Sequence, residues 1–235
     1  MPSVDSSGFL LLVEGQDDRH FVKQIWDKYH GGSLNSIFFN GSEPPFEILE
    51  KEGFDELCKD IPTKITTPGR EVLGILADAN ADPINRWNRI SRELSRVFEL
   101  RGQSKELQLD PSDIPDSPAP NGTIIESKPR IGIWLMPDNK SHGELEDFAA
   151  QMIPEDDPVW PSSREYIANI PVKDRKFDSD KTPKAELFAW LATRKNPGRM
   201  GAAIGADDLS LDNQPSKKFL KWLTELFKQP VNTSS

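Results

Sequence analysis

The stretch GFLLLVEGQDD, residues 8–18, decides the fold class. Phe9 to Val13 is a short, continuous apolar run, which predicts a strand buried on both faces. Glu14 and Asp18 come next, with Gly15 between them, a residue that lets the backbone turn sharply or approach a ligand. From Asp17 to Tyr29 the apolar residues Phe21, Val22, Ile25, Trp26 and Tyr29 fall on one helical face, and Gly31-Gly32 ends the helix. A buried strand, an acidic turn and an amphipathic helix form the first unit of an α/β fold.

The pattern recurs. In EVLGILADANAD (71–82) a buried strand is followed by Asp78, Asn80 and Asp82. In IGIWLMPDNKSHGELED (131–147) another strand is followed by Glu144, Glu146 and Asp147. Three strands that each deliver acids to one sheet edge would build a divalent-metal site, since Mg²⁺ and Mn²⁺ take hard oxygen ligands. Each acid also has a plainer reading. Asp17 and Asp18 suit a helix N-terminus, and Asp82-Pro83 is a turn former that caps a helix equally well.

Between these units, residues 34–39 (LNSIFF) suggest a strand and Phe46 to Cys58 a helix broken at Gly53. Asn85 to Leu100 carries a strong helical stripe through Trp87, Ile90, Leu94, Val97 and Phe98. Residues 102–129, including LDPSDIPDSPAPNGT, read as a long polar surface insertion or flexible loop without core-forming content. Leu145 to Ile153 suggests a helix, and residues 160–235 read as a mostly helical C-terminal part packed on the same core. In that part Thr182 is a candidate cap before Pro183, and Lys217 to Lys228 is an amphipathic closing helix. The expected fold is one α/β domain over 1–235, with a mainly parallel central sheet flanked by helices, as strand–helix alternation demands.

Composition narrows the function classes. The 235 residues hold 36% hydrophobic and 29% charged residues, with a net charge of −9. That charge argues against a nonspecific nucleic-acid coat but not against a nuclease with a local basic patch. The single cysteine, Cys58, excludes an internal disulfide and a cysteine-rich metal site. No apolar stretch approaches the roughly 20 residues needed to cross a membrane. Leu10 to Val13 lacks the basic flank and cleavage site of a secretory signal, so a cytoplasmic location is expected.

The acidic LVEGxxD strand end, followed by a hydrophobic strand ending in a DxD-like ADAN, resembles the TOPRIM domain of topoisomerases, primases and overcoming-lysogenization-defect (OLD) nucleases. WLMPDN, GELED, KAELFAWLA and PGRMGAAI resemble segments of a small standalone bacterial group related to the OLD type. The resemblance implies a Rossmann-like sheet and a metal-dependent nuclease acting on DNA, or on RNA, in DNA processing or phage defence.

It implies roles as well. Glu14 would ligate metal and act in acid/base chemistry, Asp18 would hold a second metal, and Asp78 would be the first DxD aspartate. Asn80 stands where the second is expected, with Asp82 able to compensate. Glu146 would be a later ligand supported by Glu144. Lys184, with Lys181 as the alternative, would stabilise phosphate in the transition state. Mg²⁺ or Mn²⁺ is the implied cofactor. OLD-type relatives are often fused to, or encoded beside, an ATPase, and with no Walker loop here a co-encoded ATPase partner is admitted. A homo-oligomer is admitted too.

Outside the resemblance, Arg194, Lys195 and Arg199 in TRKNPGRMG suit either phosphate contact or a basic helix C-terminus. His142 lies beside GELED as a substrate contact or a loop histidine. Tyr29 and Tyr166 sit outside the acidic motifs, so a covalent topoisomerase step has no support. The competing functions are a non-catalytic TOPRIM-like module, with Asn80 marking lost activity, and a phosphotransfer protein. The last would need a lysine on a later strand, and none is evident.

Overall fold

A computed structural model describes residues 8–31, 44–99 and 107–228. The fold is α/β, with a five-stranded, mostly parallel sheet flanked by helices. In chain order the elements are β1 (Phe9–Val13), α1 (Gln16–Gly31), β2 (Glu47–Glu50), α2 (Phe54–Ile65), β3 (Val72–Asp78), α3 (Pro83–Glu99), β4 (Thr123–Ile125) and β5 (Arg130–Met136). The chain then adds α4 (Leu145–Ala150), α5 (Trp160–Asn169), α6 (Thr182–Leu191), α7 (Met200–Gly205) and α8 (Gln214–Leu226). The strand order is β2-β1-β3-β5-β4, parallel except for β4, which runs antiparallel on the β5 edge.

The period of two in the strands sorts side chains into two cores. Leu11, Val13, Trp134 and Met136 face a layer that includes α1, α4, α6, α7 and α8, while Leu10, Leu12, Ile131, Ile133 and Leu135 face α2 and α3. Burial on both faces explains why β1, β3 and β5 are apolar without alternation. The C-terminal helices share the first core: Leu187, Trp190, Met200, Phe219 and Leu223 cluster with Leu11 and Val13.

Paired glycines admit α8. Gly74 and Gly132 are register partners on β3 and β5. A Cβ at Gly132 would lie 2.3 Å from Leu226 Cδ2 and 2.9 Å from its Cγ, and one at Gly74 would lie 3.1 Å from Phe227. The missing side chains are the space into which α8 packs. Gly132→Val should push α8 off the sheet and cost about 2–3 kcal/mol, read as a lower urea midpoint at unchanged slope.

Several expectations need correction. Phe46 to Cys58 is not a broken helix but β2 followed by the start of α2, with Gly53 at φ 94° between them. The strand expected at 34–39 lies outside the described residues, as do residues 102–106 of the polar insertion. The described remainder of that insertion is better built than expected: Leu109 and Ile125 are buried, and Thr123–Ile125 forms the edge strand β4. Thr182 is the first residue of α6 rather than its cap, which is Lys181. No helix among the described residues is long and apolar enough to cross a membrane.

Candidate metal centre

The chain leaves β1 toward one edge of the sheet and β3 toward the other. The β1–β3 junction is therefore a topological switch point, where open α/β sheets collect ligands beyond the strands' carboxyl ends. Register sets Val13 beside Leu76 and Asp78 beside Met136, so Glu14, Asp78 and the loop after β5 emerge together.

Hydrogen bonds tie these ends. The Asp78 backbone N–H donates to Glu14 Oε1 at 2.8 Å, and Asp78 Oδ1 accepts from the Leu145 N–H at 2.9 Å. Strand β1, strand β3 and the start of α4 are thus linked through the two acids that sequence spacing singles out. Asp18 lies in the first turn of α1, is 7% exposed, and accepts the Gly15 N–H at 3.0 Å. Glu146, in the first turn of α4, is 5% exposed.

The GELED loop is held by β3's continuation. Asn80 and Gly143 form an antiparallel bridge, Asn80 N–H to Gly143 O at 2.7 Å and Gly143 N–H to Asn80 O at 2.8 Å. Gly143 has φ 138°, and a Cβ there would stand 2.8 Å from Asp147 Oδ2, so glycine is required. The Asp147 carboxylate accepts the Glu144 N–H at 2.8 Å and shapes the entry to α4. Asn80 has φ 49°. Its amide, oriented to satisfy both neighbours, donates to Glu144 Oε1 at 2.7 Å and accepts from Arg86.

That left-handed residue overturns the expected alternation of Asp78, Asn80 and Asp82 along one extended segment. The strand stops at Asp78, and Asp82 turns away to accept the Asn85 N–H at 3.0 Å at the start of α3. The capping role proves to be its position.

Electrostatics mark the cluster as strained. Burial pushes Asp78 well above the usual carboxylate range, aided by the negative charges of Asp18, Glu14, Glu146 and Glu144. Asp18 is raised to about 7, first by burial and then by Glu14, against the pull of the Gly15 amide. Burial also raises Glu14, opposed by the Asp78 amide and Arg86. Burial is the leading cause in all three, and neighbouring carboxylates add to it.

Two lysines answer part of that charge. Lys184 Nζ lies 2.7 Å from Glu146 Oε1 and 4.0 Å from Glu144 Oε2, and Lys181 pairs with Glu144 Oε1. Burial is the largest influence on Lys184 and opposes its charge, but the Glu146 hydrogen bond together with the negative charges of Glu146, Glu144 and Asp78 outweighs it and raises its pKa. The Glu144 contact raises Lys181. Both lysines of the resemblance therefore reach the acids.

Among the described residues no group of three or more His, Cys, Asp or Glu is already gathered into a ligand set. A shared ion requires side-chain rotation of Glu14, Asp78 and Glu146, with Lys184 released from Glu146. The donors otherwise suit Mg²⁺ or Mn²⁺: they are hard oxygens in excess negative charge, with no sulfur and no imidazole among them.

The basic patch divides. Arg194 reaches Asp157 at 3.3 Å and Asp208 at 3.7 Å and lies over the Trp190 ring at 4.3 Å, so it pins the end of α6. Lys195 and Arg199 are exposed, and Arg199 shares a surface cleft with Asp17 and His20 at the start of α1. His142 is exposed in the loop before α4. Cys58 is buried between α2 and the sheet, and burial pushes its thiol up to about 11.

Sequence reasoning passed over Arg86, which touches Asn80 and stands 3.9 Å above the Phe54 ring. Its signal is present in the sequence: Arg86, Arg89 and Arg92 recur every three residues on α3, beside the apolar stripe of that helix. No curated protein and no solved structure matches the chain. The family described as a protein of unknown function (DUF3226) matches residues 8–228, from before β1 to past the end of α8, and the chain belongs to that family.

Proposed function

We propose that the chain is a Mg²⁺- or Mn²⁺-dependent phosphodiesterase, a nuclease of TOPRIM-like type that acts on DNA in preference to RNA. The observation that carries this reading is the hydrogen-bonded convergence of Glu14, Asp78 and the start of α4 at a topological switch point. Five carboxylates surround it, and burial raises two of them, Asp18 and Asp78, far above their ordinary range.

Glu14, Asp18, Asp78 and Glu146 would hold the cations, with Glu144 in support. Bound there, a divalent cation supplies Lewis-acid polarisation of a phosphoryl oxygen and activates water as the nucleophile. The chain's own residues do the rest. The Leu145 amide holds the Asp78 carboxylate and the Asp78 amide holds that of Glu14, which keeps both acids at one sheet edge, from which side-chain rotation would bring them to an ion. Lys184, once freed from Glu146, carries a positive charge beside the acids, where a phosphate gathers negative charge in the transition state. Asn80 offers a neutral amide where a second aspartate would add charge, so the affinity for a second ion is reduced.

One observation favours a second reading, that of a non-catalytic module working with a partner such as a co-encoded ATPase. Lys181 and Lys184 already neutralise Glu144 and Glu146, so the cluster can persist without metal. Incubation of the pure chain with plasmid separates the two. Nicking or linearisation in Mg²⁺ or Mn²⁺ that EDTA stops supports the enzyme. Intact plasmid in both metals, with and without the ATPase, supports the module.

A further inference from the structure

Beside the acids a second feature opens, a cleft of about 510 Å³ where α3 begins. Phe54 and Asp55 of α2 form one wall, and Asp82, Arg86, Arg89 and Arg92 form the other. The geometry points to this cleft as the track that holds the phosphodiester strand next to the metal centre. The assignment deepens the nuclease reading and rests on it.

Three observations carry it. First, the arginines are a strip: six residues separate Arg86 from Arg92, about 9 Å along the helix axis. On a duplex, phosphates of one strand recur about every 3.4 Å along the axis, so the strip is long enough to meet more than one. A lone phosphate would need a compact nest instead. Second, the strip is coupled to the acids through one side chain: Asn80 accepts from Arg86 and donates to Glu144. A strand seated on Arg86 would therefore lie one side chain away from Glu144 and the cluster. Third, the guanidinium nearest the acids is ordered before any ligand binds, since Arg86 rests on the Phe54 ring. A planar guanidinium held in this way presents its donor fork to phosphate oxygens at low entropic cost.

Charge in the cleft is not one-sided, and the balance matters. Asp82 and Asp55 lie there too, but the Asp82 carboxylate is engaged by the Asn85 amide. Arg89 shares the buried Glu93 with Arg96, at 3.5 and 2.9 Å. Arg92 is exposed and has no carboxylate partner among the described residues. With Arg89 held by Glu93, Arg86 and Arg92 are the arginines the cleft can offer a phosphate. They supply the local positive field that an acidic nuclease needs to approach a polyanion.

The test reads binding separately from cleavage. A short fluorescein-labelled DNA duplex and its single strand are titrated with the full chain by anisotropy, across a salt series, in Ca²⁺ and in EDTA. Arg92 is solvent-exposed, so Arg92→Ala and Arg92→Glu should fold normally, which circular dichroism and thermal melting verify. Arg92→Ala is expected to weaken binding several-fold and to lower the slope of log K against log salt by about 0.9 for duplex, or about 0.7 for single strand. Arg92→Glu should weaken it about ten-fold or more at low salt, while Lys173→Ala on the exposed turn after α5 should change nothing. Unchanged affinity and slope in both Arg92 variants, or no binding of either DNA by the wild-type chain, overturns the track. Arg92-dependent binding without cleavage in any metal sustains the track and removes the hydrolytic reading. Cleavage with Arg92-independent binding does the reverse.

Discussion

Asp78→Asn is expected to abolish plasmid cleavage, lowering the rate about a thousand-fold, which corresponds to about 4 kcal/mol of lost transition-state stabilisation. The substitution is chosen for what it keeps. The Asp78 backbone amide still donates to Glu14, and the new side-chain oxygen still accepts from Leu145. What disappears is one negative charge at the centre of the cluster. Glu14→Gln obeys the same logic, since its amide oxygen can still receive the Asp78 N–H, and a loss of similar size is expected. Cleavage is measured on supercoiled plasmid across Mg²⁺ and Mn²⁺ concentrations, with urea unfolding as the check that each variant is folded. The two losses should not add in the double variant, because residues that act as one unit fail together. If either neutral variant cuts within a few-fold of wild type, these acids do not hold the reacting phosphate's cation.

The residues that make this prediction were readable because their chemistry is local. Strands β1, β3 and β5 are apolar on both faces, so their ends are visible in the sequence. The residues just past that end must sit at the sheet's carboxyl edge. That reasoning found β1, β3 and β5, and with them Glu14, Asp78 and the acids before α4. It failed where pairing, not pattern, makes the element. Strand β2 is only four residues, all partly exposed, and it exists because it hydrogen-bonds to β1. Phe46, Leu49, Phe54 and Leu57 imitate one helical spacing across what is really β2, a turn at Gly53 and the start of α2. Likewise β4 sits in a proline-rich stretch whose composition argues against it, and is held by pairing to β5.

The site shows the same division. The left-handed Asn80 is settled by its bridge to Gly143, far along the chain, and no local propensity announces a partner so distant. That bridge moved Asp82 from candidate ligand to helix cap and brought Glu144 under the Asn80 amide. The lysine contacts with Glu144 and Glu146 also cross between α6 and α4, so spacing in the sequence could nominate lysines only by resemblance. The arginine strip was legible throughout, but the apolar stripe on the same helix gave α3 a sufficient purpose.

Asp18→Asn should make the metal-free protein more stable at pH 8 and less responsive to divalent cations. The direction of the pKa shift sets the sign. Asp18 has its pKa raised from 3.8 to about 7 in the fold, so the folded state binds that proton more tightly than the unfolded chain does. Ionising it therefore costs the fold. The penalty begins as pH rises above the unfolded value near 4, grows through the interval, and is complete once pH passes about 7. A shift of that size corresponds to about 4 kcal/mol at most, and relaxation of the side chains reduces it to about 2 kcal/mol. In a chain of this size that is about 4–8 °C of melting temperature. Asparagine keeps an oxygen for the Gly15 amide and removes the charge that Glu14 and Glu146 oppose. In EDTA the wild-type melting temperature should fall between pH 4 and 7, and the variant's curve should be flatter over the same window. Mg²⁺ or Mn²⁺ should then restore the wild type at pH 8 by about 2–3 kcal/mol when present near a hundred times its dissociation constant, and the variant by less. A variant that melts below wild type in chelator would show that Asp18 supports the fold as a structural cap. An equal gain from metal in both proteins would place the ion elsewhere, because a ligand whose charge can be removed at no cost to binding is not holding the cation.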